Sequence, residues 1–536
     1  MNIRSLKVFF LKCAPAAGLA AVCSLLLFPA ATAQQTQQKK KPNIIVFLVD
    51  DMGWQDTSVP FWGKSTAFNK RYRTPNMERL AREGLKFTSG YAFPVCTPSR
   101  VSLITGVNPA RHRITHWTSP NANTNTDYPD TTLNFVPWNI QGMSPVAGIA
   151  NTFHATPLPS LLKKAGYYTI LSGKAHFASS GTPGADPKNV GFDVNIAGSS
   201  IGHPASYYGE SNYDKPVNGK PNRNAVPGLE AYHGTSTFLS DALTIEALKA
   251  LRKPVSEGEP FFLYLSHYAV HTPILPDPRF VDRYLKMGLD SIEASYASLV
   301  EGMDKSLGDV MDFLEKEQLA EHTVIFFLSD NGGLSTAPLR GGEGYTHNLP
   351  LRAGKGSVYE GGIRVPLLVK WPGVTRAGKT AGQYVIVEDL FPTILEIAGI
   401  KKADTHQQVD GKSMLPLLHK PELKDTEREL IWHHPHRWIP QEGPNIHWAS
   451  AFRKGDWKLV YDYRARKLEL YNLKDDIGEL RDLAALEPEK TKELARLFTK
   501  RLRQYGAQRP TWKPGGQPVP WPDEIAVRQA GVEARK

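Results

Sequence analysis

Two seven-residue apolar runs, NIIVFLV at 43–49 and TVIFFLS at 323–329, constrain the fold more than any other feature of the chain. Each is rich in branched side chains and is followed at once by a polar pair, Asp50-Asp51 in the first case and Asp330-Asn331 in the second. Apolar runs of this length and composition read as buried strands. Helical patterns alternate with them. TPNMERLAREG reads as a helix capped at Thr74 and stopped at Gly84, and PLPSLLKKAG then YYTILSG as a helix–strand unit. PFFLYLSHYAVH reads as a further strand. Between residues 289 and 314, Ile292, Tyr296, Leu299, Met303, Leu307, Val310 and Leu314 recur at three- and four-residue steps, the signature of one amphipathic helix. RVPLLVKWPG and EDLFPTILEIAG continue the alternation. This order predicts an α/β domain with a large, mostly parallel sheet flanked by helices. Ligands collect at the carboxyl ends of strands in such sheets, where both polar pairs lie.

The ends of the chain differ from this middle. A basic start (Arg4, Lys7, Lys12), an apolar run through PAAGLAAVCSLLLF and the small residues Ala31 to Ala33 give the order of a secretory signal peptide cleaved after Ala33. The apolar run is shorter than the roughly 20 residues of a spanning helix, so no stable membrane span is expected. A lipoprotein reading through Cys23 is disfavoured by Val22 where a small residue belongs. Residues 34–42 read as a polar linker, 43–420 as the main domain, and 421–536 as a smaller α+β subdomain. In the last part WASAFRKGDWKLVYDYRARKLELYNLKDD alternates like antiparallel strands with a turn near Gly455-Asp456, and EPEKTKELARLFTKRLRQYG reads as an amphipathic helix. Residues 179–234, rich in Gly, Pro, Asn and Tyr and without periodicity, read as long loops around a site.

The formal charge of +11 becomes +8 once the three basic residues of the leader are removed. That excess favours an anionic partner. Its dispersal and the lack of a nucleic-acid motif exclude nucleic acid as the expected one and leave a polyanionic glycan reached by export to the periplasm or the medium.

Of the four oxygen-bearing side chains at the two strand ends, the carboxylates would repel one another when buried unless a cation neutralised them, the other reading being that each pair merely caps a following turn. All-oxygen ligation suits a hard divalent ion, Ca²⁺ or Mg²⁺, rather than zinc. Leader cleavage would remove Cys13 and Cys23 and leave Cys96 as a lone thiol in an oxidising compartment. It sits in PVCTPSRVSLITG, where the following residues start a helix with Pro98 in the first turn. An anion there is favoured by the helix dipole and by Arg100, so an activated nucleophile is one reading and a buried inert thiol the other.

Cys-Thr-Pro-Ser-Arg followed by VSLITG resembles the C-x-P-x-R-x-x-x-x-T-G signature of the type I (formylglycine-dependent) sulfatases of the alkaline phosphatase superfamily. VDDMGWQD and LSDNGG resemble that family's two metal motifs, SGKAHF its G-K-x-H element, HYAVHTP its H-x-P segment and GKGSVYEGGIRVP its late lysine motif, all in the family's order. The resemblance spans nearly the whole chain after the leader. It implies that Asp50, Asp51, Asp330 and Asn331 bind the cation, usually Ca²⁺, with residue 96 beside it. It implies that Cys96 is converted during export by a maturing enzyme to formylglycine, whose hydrate attacks sulfur. Arg100 and Lys174 would then steady the hydrate and the sulfuryl oxygens, His176 would act as base for the elimination, and Lys355 and His271 would grip the ester, with His271 protonating the leaving oxygen. His267, His347, His116 and Trp117 are expected as substrate contacts. Ala175, Phe177 and Gln55 depart from the commonest residues of those motifs. Phosphodiesterases and phosphonate monoester hydrolases of the same superfamily tend to carry His where Asn331 stands, and a catalytically silent glycan-binding relative would have lost one of these residues. The expected substrate is a sulfated carbohydrate, a galactose or N-acetylgalactosamine 4-sulfate.

Overall fold

A computed structural model describes residues 41–533, with side chains through Val527. The expected signal peptide and most of the linker lie outside the described residues. From Lys41 onward the chain is one compact unit.

The elements that position the site are β1 (Asn43–Val49), α1 (Pro75–Glu83), β2 (Leu85–Tyr91), α2 (Cys96–Thr105), α3 (Leu158–Lys164), β3 (Tyr168–Gly173), β4 (Val194–Ile196), α4 (Leu239–Glu257), β5 (Phe261–Ser266), α5 (Ser291–Lys316), β6 (Thr323–Ser329), β7 (Arg364–Lys370), β8 (Lys379–Ala381) and α6 (Leu390–Ile397). The strands form a nine-stranded sheet in the order β8-β2-β7-β6-β1-β5-β3-β4, with the short strand Val385–Ile386 also paired to β2. β1 runs parallel to both β5 and β6, and β3 parallel to β5 and β4; β7 is antiparallel to both its neighbours. The sheet is therefore mostly parallel, with one reversed strand.

β1 is buried along its whole length, and its side chains divide between two cores. Ile44, Val46 and Leu48 join one hydrophobic cluster with α2, α3 and α6, while Ile45, Phe47 and Val49 join the other with α4 and α5. Period-two alternation across a sheet covered on both faces explains why the run carries no polar residue after Asn43. The Leu289-to-Leu314 periodicity becomes the 26-residue α5. One local expectation needs correcting. Thr74 occupies the N-cap of α1 but makes no capping hydrogen bond to it. Its hydroxyl contacts Thr57 and Ser58 instead, and the carboxylate of Asp304 on α5 accepts from the amides of Asn76 and Met77. A tertiary carboxylate has replaced the local cap, satisfying the same first-turn amides.

Toward the C terminus, β9 (Glu429–Arg437), β10 (His447–Lys454), β11 (Trp457–Asp462) and β12 (Lys467–Asn472) form a four-stranded antiparallel sheet, with α7 (Pro488–Tyr505) packed on it. Its join to the main sheet is polar as well as apolar. Buried Lys458 on β11 donates to Glu360, just before β7, and lies 2.8 Å from Glu479. Among the described residues no helix is long and apolar enough to cross a membrane.

Candidate active site

The site is assembled where β1, β6, β5 and β3 end. Neighbouring parallel strands β1 and β6 pair Val49 with Ser329, so the residues that follow each emerge side by side. Asp51 turns sharply there, with a left-handed backbone (φ 63°) that a side-chain-bearing residue rarely adopts. Its amide donates to Asp330 Oδ1 (3.2 Å), and Asn331 Nδ2 donates to its carboxylate (2.8 Å). Gly173 closes β3 at φ +99°, where a Cβ would lie 1.9 Å from the carbonyl oxygen of Ser266. Only glycine allows that approach, which brings Lys174 to the acid cluster.

Cys96 is the first residue of α2, and Arg100 lies four residues on, one turn away on the same face. Every residue of this helix is buried. The guanidinium of Arg100 donates to Asp330 Oδ2 (2.8 Å), to Ser266 Oγ (2.6 Å) and to the Lys174 carbonyl (2.9 Å), and lies 3.6 Å from Asp50. Lys174 Nζ donates to Asp50 Oδ2 at 2.7 Å. Lys355 Nζ lies 2.6 and 2.8 Å from the two oxygens of Asp51 and donates to His271 Nε2 at 3.0 Å. Three carboxylates thus face three cations, all buried. The Cys96 thiol lies 3.5 Å from Asp50 Oδ1, and it is the sole cysteine among the described residues.

Burial raises Asp50 well above the usual carboxylate range, and Lys174 offsets this only in part. Asp51 is held far below that range, because His271, Lys355 and Lys174 outweigh its burial. Asp330 is also lowered, chiefly by Arg100 acting against burial. Burial lowers His271 despite its proximity to Asp51. Its Nδ1 donates to the Thr272 carbonyl (2.9 Å), so Nε2 carries the lone pair that accepts from Lys355. His176 Nε2 donates to the Thr118 carbonyl (2.9 Å) and leaves Nδ1 buried without a partner among the described residues.

A cation fits this donor set. Ligand atoms of Asp50, Asp51, Cys96 and His271 lie within 4.8 Å of one another, and the buried Oδ1 of Asn331 has no hydrogen-bond partner among the described residues. An unsatisfied buried carbonyl oxygen beside three carboxylates suits a hard ion with oxygen ligands.

A cavity of about 350 Å³ opens over this floor. Cys96, Asp51, His176, His271 and Lys355 line it, so the structure brings these expected residues together, and Trp117 joins them on the wall. Three other expected substrate contacts lie elsewhere. His267 turns into the opposite core, against Phe47 and with Nε2 at Ser306 Oγ (2.8 Å), and burial lowers it to about 3. His347 is pinned within its own loop by the Gly341 carbonyl (2.6 Å) and Ser335. His116 is buried against His436, His434 and Trp138.

Several wall residues carried no sequence signal. His203 stacks on His271 with rings 7° from parallel, and Arg223 and Asn224 line the same wall. All three come from the aperiodic 179–234 stretch, which the sequence marked only as loops around a site. Trp438 reaches over from the end of β9 to lie 6.0 Å from Lys355 Nζ. Gly356 makes room for it: φ is +86°, and a Cβ would meet the indole at 2.0 Å.

Comparison with known proteins agrees with the geometry. The Sulfatase family model matches residues 42–400, and the model for the C-terminal region of N-sulphoglucosamine sulphohydrolase matches 354–508. A protein named "Sulfatase" from Formosa agariphila is 30% identical, over 94% of this chain and 97% of its own length. The N-acetylgalactosamine-6-sulfatase of Mus musculus is 33% identical, over 77% of this chain and 72% of its own. The solved structure of Ps i-CgsB in complex with k-i-k-neocarrahexaose superposes with a TM-score of 0.66 and 26% identity, covering 92% of this chain and 98% of that one.

Proposed function

The chain belongs to the sulfatase family, as a sulfuric ester hydrolase of the alkaline phosphatase superfamily, and on that premise we propose that it cleaves sulfate esters from a galacto-configured sugar of a sulfated polysaccharide. We further propose that it does so with Ca²⁺ and a formylglycine at position 96, after export and maturation by a formylglycine-generating or anaerobic sulfatase-maturing enzyme. The observation that carries the reading is the convergence of Cys96, Asp51, His271 and Lys355 on one cavity, with Asp50 and Asp330 buried against them.

Asp50, Asp51, Asp330 and Asn331 would hold the cation with residue 96 beside them, and the ion supplies Lewis-acid and templating chemistry. A formylglycine at position 96 would supply, as its hydrate, a nucleophilic hydroxyl and a second hydroxyl to be deprotonated. The remaining work belongs to side chains in place. Three carboxylates balanced by Arg100, Lys174 and Lys355 make a neutral floor, so a divalent ion leaves it net positive for a sulfate monoester anion. Lys174 and Lys355 place ammonium groups where charge grows on the non-bridging and leaving oxygens. His271 is the expected proton donor to the leaving oxygen, and Lys355 Nζ, 3.0 Å from its Nε2, would supply that proton through it. His176, neutral because burial lowers it strongly, offers its free Nδ1 as base.

The aromatic wall of Trp117, Tyr128 and Trp438 supports a sugar ring. The sequence expectation is a 4-sulfate, whereas the mouse relative's name favours the 6-position. Matured protein assayed on galactose and N-acetylgalactosamine carrying either ester decides between them. Release of sulfate from neither, by protein whose residue 96 is converted, overturns the proposed substrate. Cys96→Ala and Asp330→Ala should each abolish sulfate release from every ester while leaving a folded protein.

A further inference from the structure

The cations of the floor are already engaged: Arg100, Lys174 and Lys355 each bind a carboxylate. Arg223 lines the same cavity, is exposed, and pairs with no carboxylate among the described residues. Its mounting is fixed on both sides. Asn222 is held through its amide by Asp214 (2.9 Å) and through its side chain by the Lys215 carbonyl (3.2 Å). The Asn224 amide donates back to Asn222 Oδ1 (2.9 Å), and its carbonyl accepts from the Ala205 amide (2.8 Å). Asn224 Nδ2 donates to His203 Nε2 (2.9 Å), and His203 stacks on His271. The backbone that carries Arg223 is thus tied through two side chains to the reacting centre.

A guanidinium presented by an anchored turn at a pocket whose other cations each hold a carboxylate is built to bind an anion, with a planar fork suited to sulfate or carboxylate. The scissile ester belongs to the floor. We propose that Arg223 is a specificity-determining residue that binds a second anionic group on the substrate, a sulfate or a uronate carboxylate borne by the sulfated sugar or its neighbour. This rests on the sulfatase reading above and narrows its substrate class to saccharides with at least two anionic groups.

The test compares kcat/KM of matured wild type, Arg223→Ala and Arg223→Lys on a saccharide monosulfate, the same saccharide with a second sulfate, and one with an adjoining uronate. Wild type should prefer a dianionic substrate. Arg223→Ala should cut that preference, the ratio of dianionic to monosulfated kcat/KM, about 10-fold and chiefly through KM, with Arg223→Lys retaining part of it. Collapse for the disulfated sugar alone assigns the site to sulfate, and collapse for the uronate alone assigns it to carboxylate. A wild type that prefers the monosulfated sugar, or an unchanged ratio in Arg223→Ala, overturns the proposal while sulfate release continues. Failure of the sulfatase reading shows differently, as no sulfate release from any of the three by wild type, and overturns both.

Discussion

Replacing Lys355 by Met removes one charge and keeps most of the side-chain volume. In the structure the ammonium lies 2.6 and 2.8 Å from the Asp51 oxygens and 3.0 Å from His271 Nε2, and Asp51 is fully buried. At an effective dielectric near 20, a pair at this separation attracts by about 6 kcal/mol before desolvation is counted. Breaking one partner of a buried pair typically costs about 3–5 kcal/mol, because the remaining charge is left uncompensated. A bound cation would restore a counter-charge to Asp51, so the loss of stability should be large in chelator and much smaller with added Ca²⁺. Catalysis should not recover in the same way. An ammonium that stabilises charge on the sulfuryl and leaving oxygens is worth about 10²–10³ in kcat, and a cation bound to Asp51 would not replace it. The assay pairs thermal unfolding with and without Ca²⁺ against sulfate release at saturating Ca²⁺. Wild-type kcat in Lys355→Met, or activity restored in full by raising Ca²⁺, would refute a direct role at the ester and reduce the lysine to a support for Asp51.

Gly356→Ala should displace Trp438, since the new Cβ would fall 2.0 Å from the ring; we expect kcat/KM on a saccharide sulfate to drop about 10-fold or more, measured by sulfate release. Glu479, buried beside Glu360 with Lys458 between them, is pushed up to about 7 by burial and by Glu360. A carboxyl whose folded value exceeds its ordinary 4.5 is stabilising in acid, and that contribution is lost as the pH rises through about 7. Wild-type stability should therefore fall between pH 5 and 8 by up to about 3 kcal/mol more than that of Glu479→Gln, measured by denaturant unfolding across that range. Parallel pH profiles for the two proteins would contradict it.

Much of this site was legible because its parts are local. An apolar strand that ends in two acids declares both its burial and the place where its acids emerge, and the four-residue step from Cys96 to Arg100 places both on one helical face. The order of the motifs supplied Lys174, His271 and Lys355, which composition and periodicity alone would have left among ordinary lysines and histidines. What failed depends on tertiary direction. His267 and His271 are four residues apart after one strand, yet the first faces α5 and the second the cavity, and no residue between them signals the difference. Thr74 carries the right residue type for a cap, but Asp304, distant in sequence, takes the role. His203, Arg223 and Asn224 lie on loops without period, where only the folded chain decides what a side chain faces. Trp438 is delivered by another sheet, and its one trace in the catalytic domain is the glycine after Lys355.

The central claim is that residue 96 works as an aldehyde above a cation held by Asp50, Asp51, Asp330 and Asn331. Mass spectrometry of the peptide spanning 94–106, from exported protein that releases sulfate from a saccharide ester, tests it most directly. The expected mass is that of the aldehyde or its hydrate at position 96. An unmodified thiol in protein that still turns over the ester would contradict it.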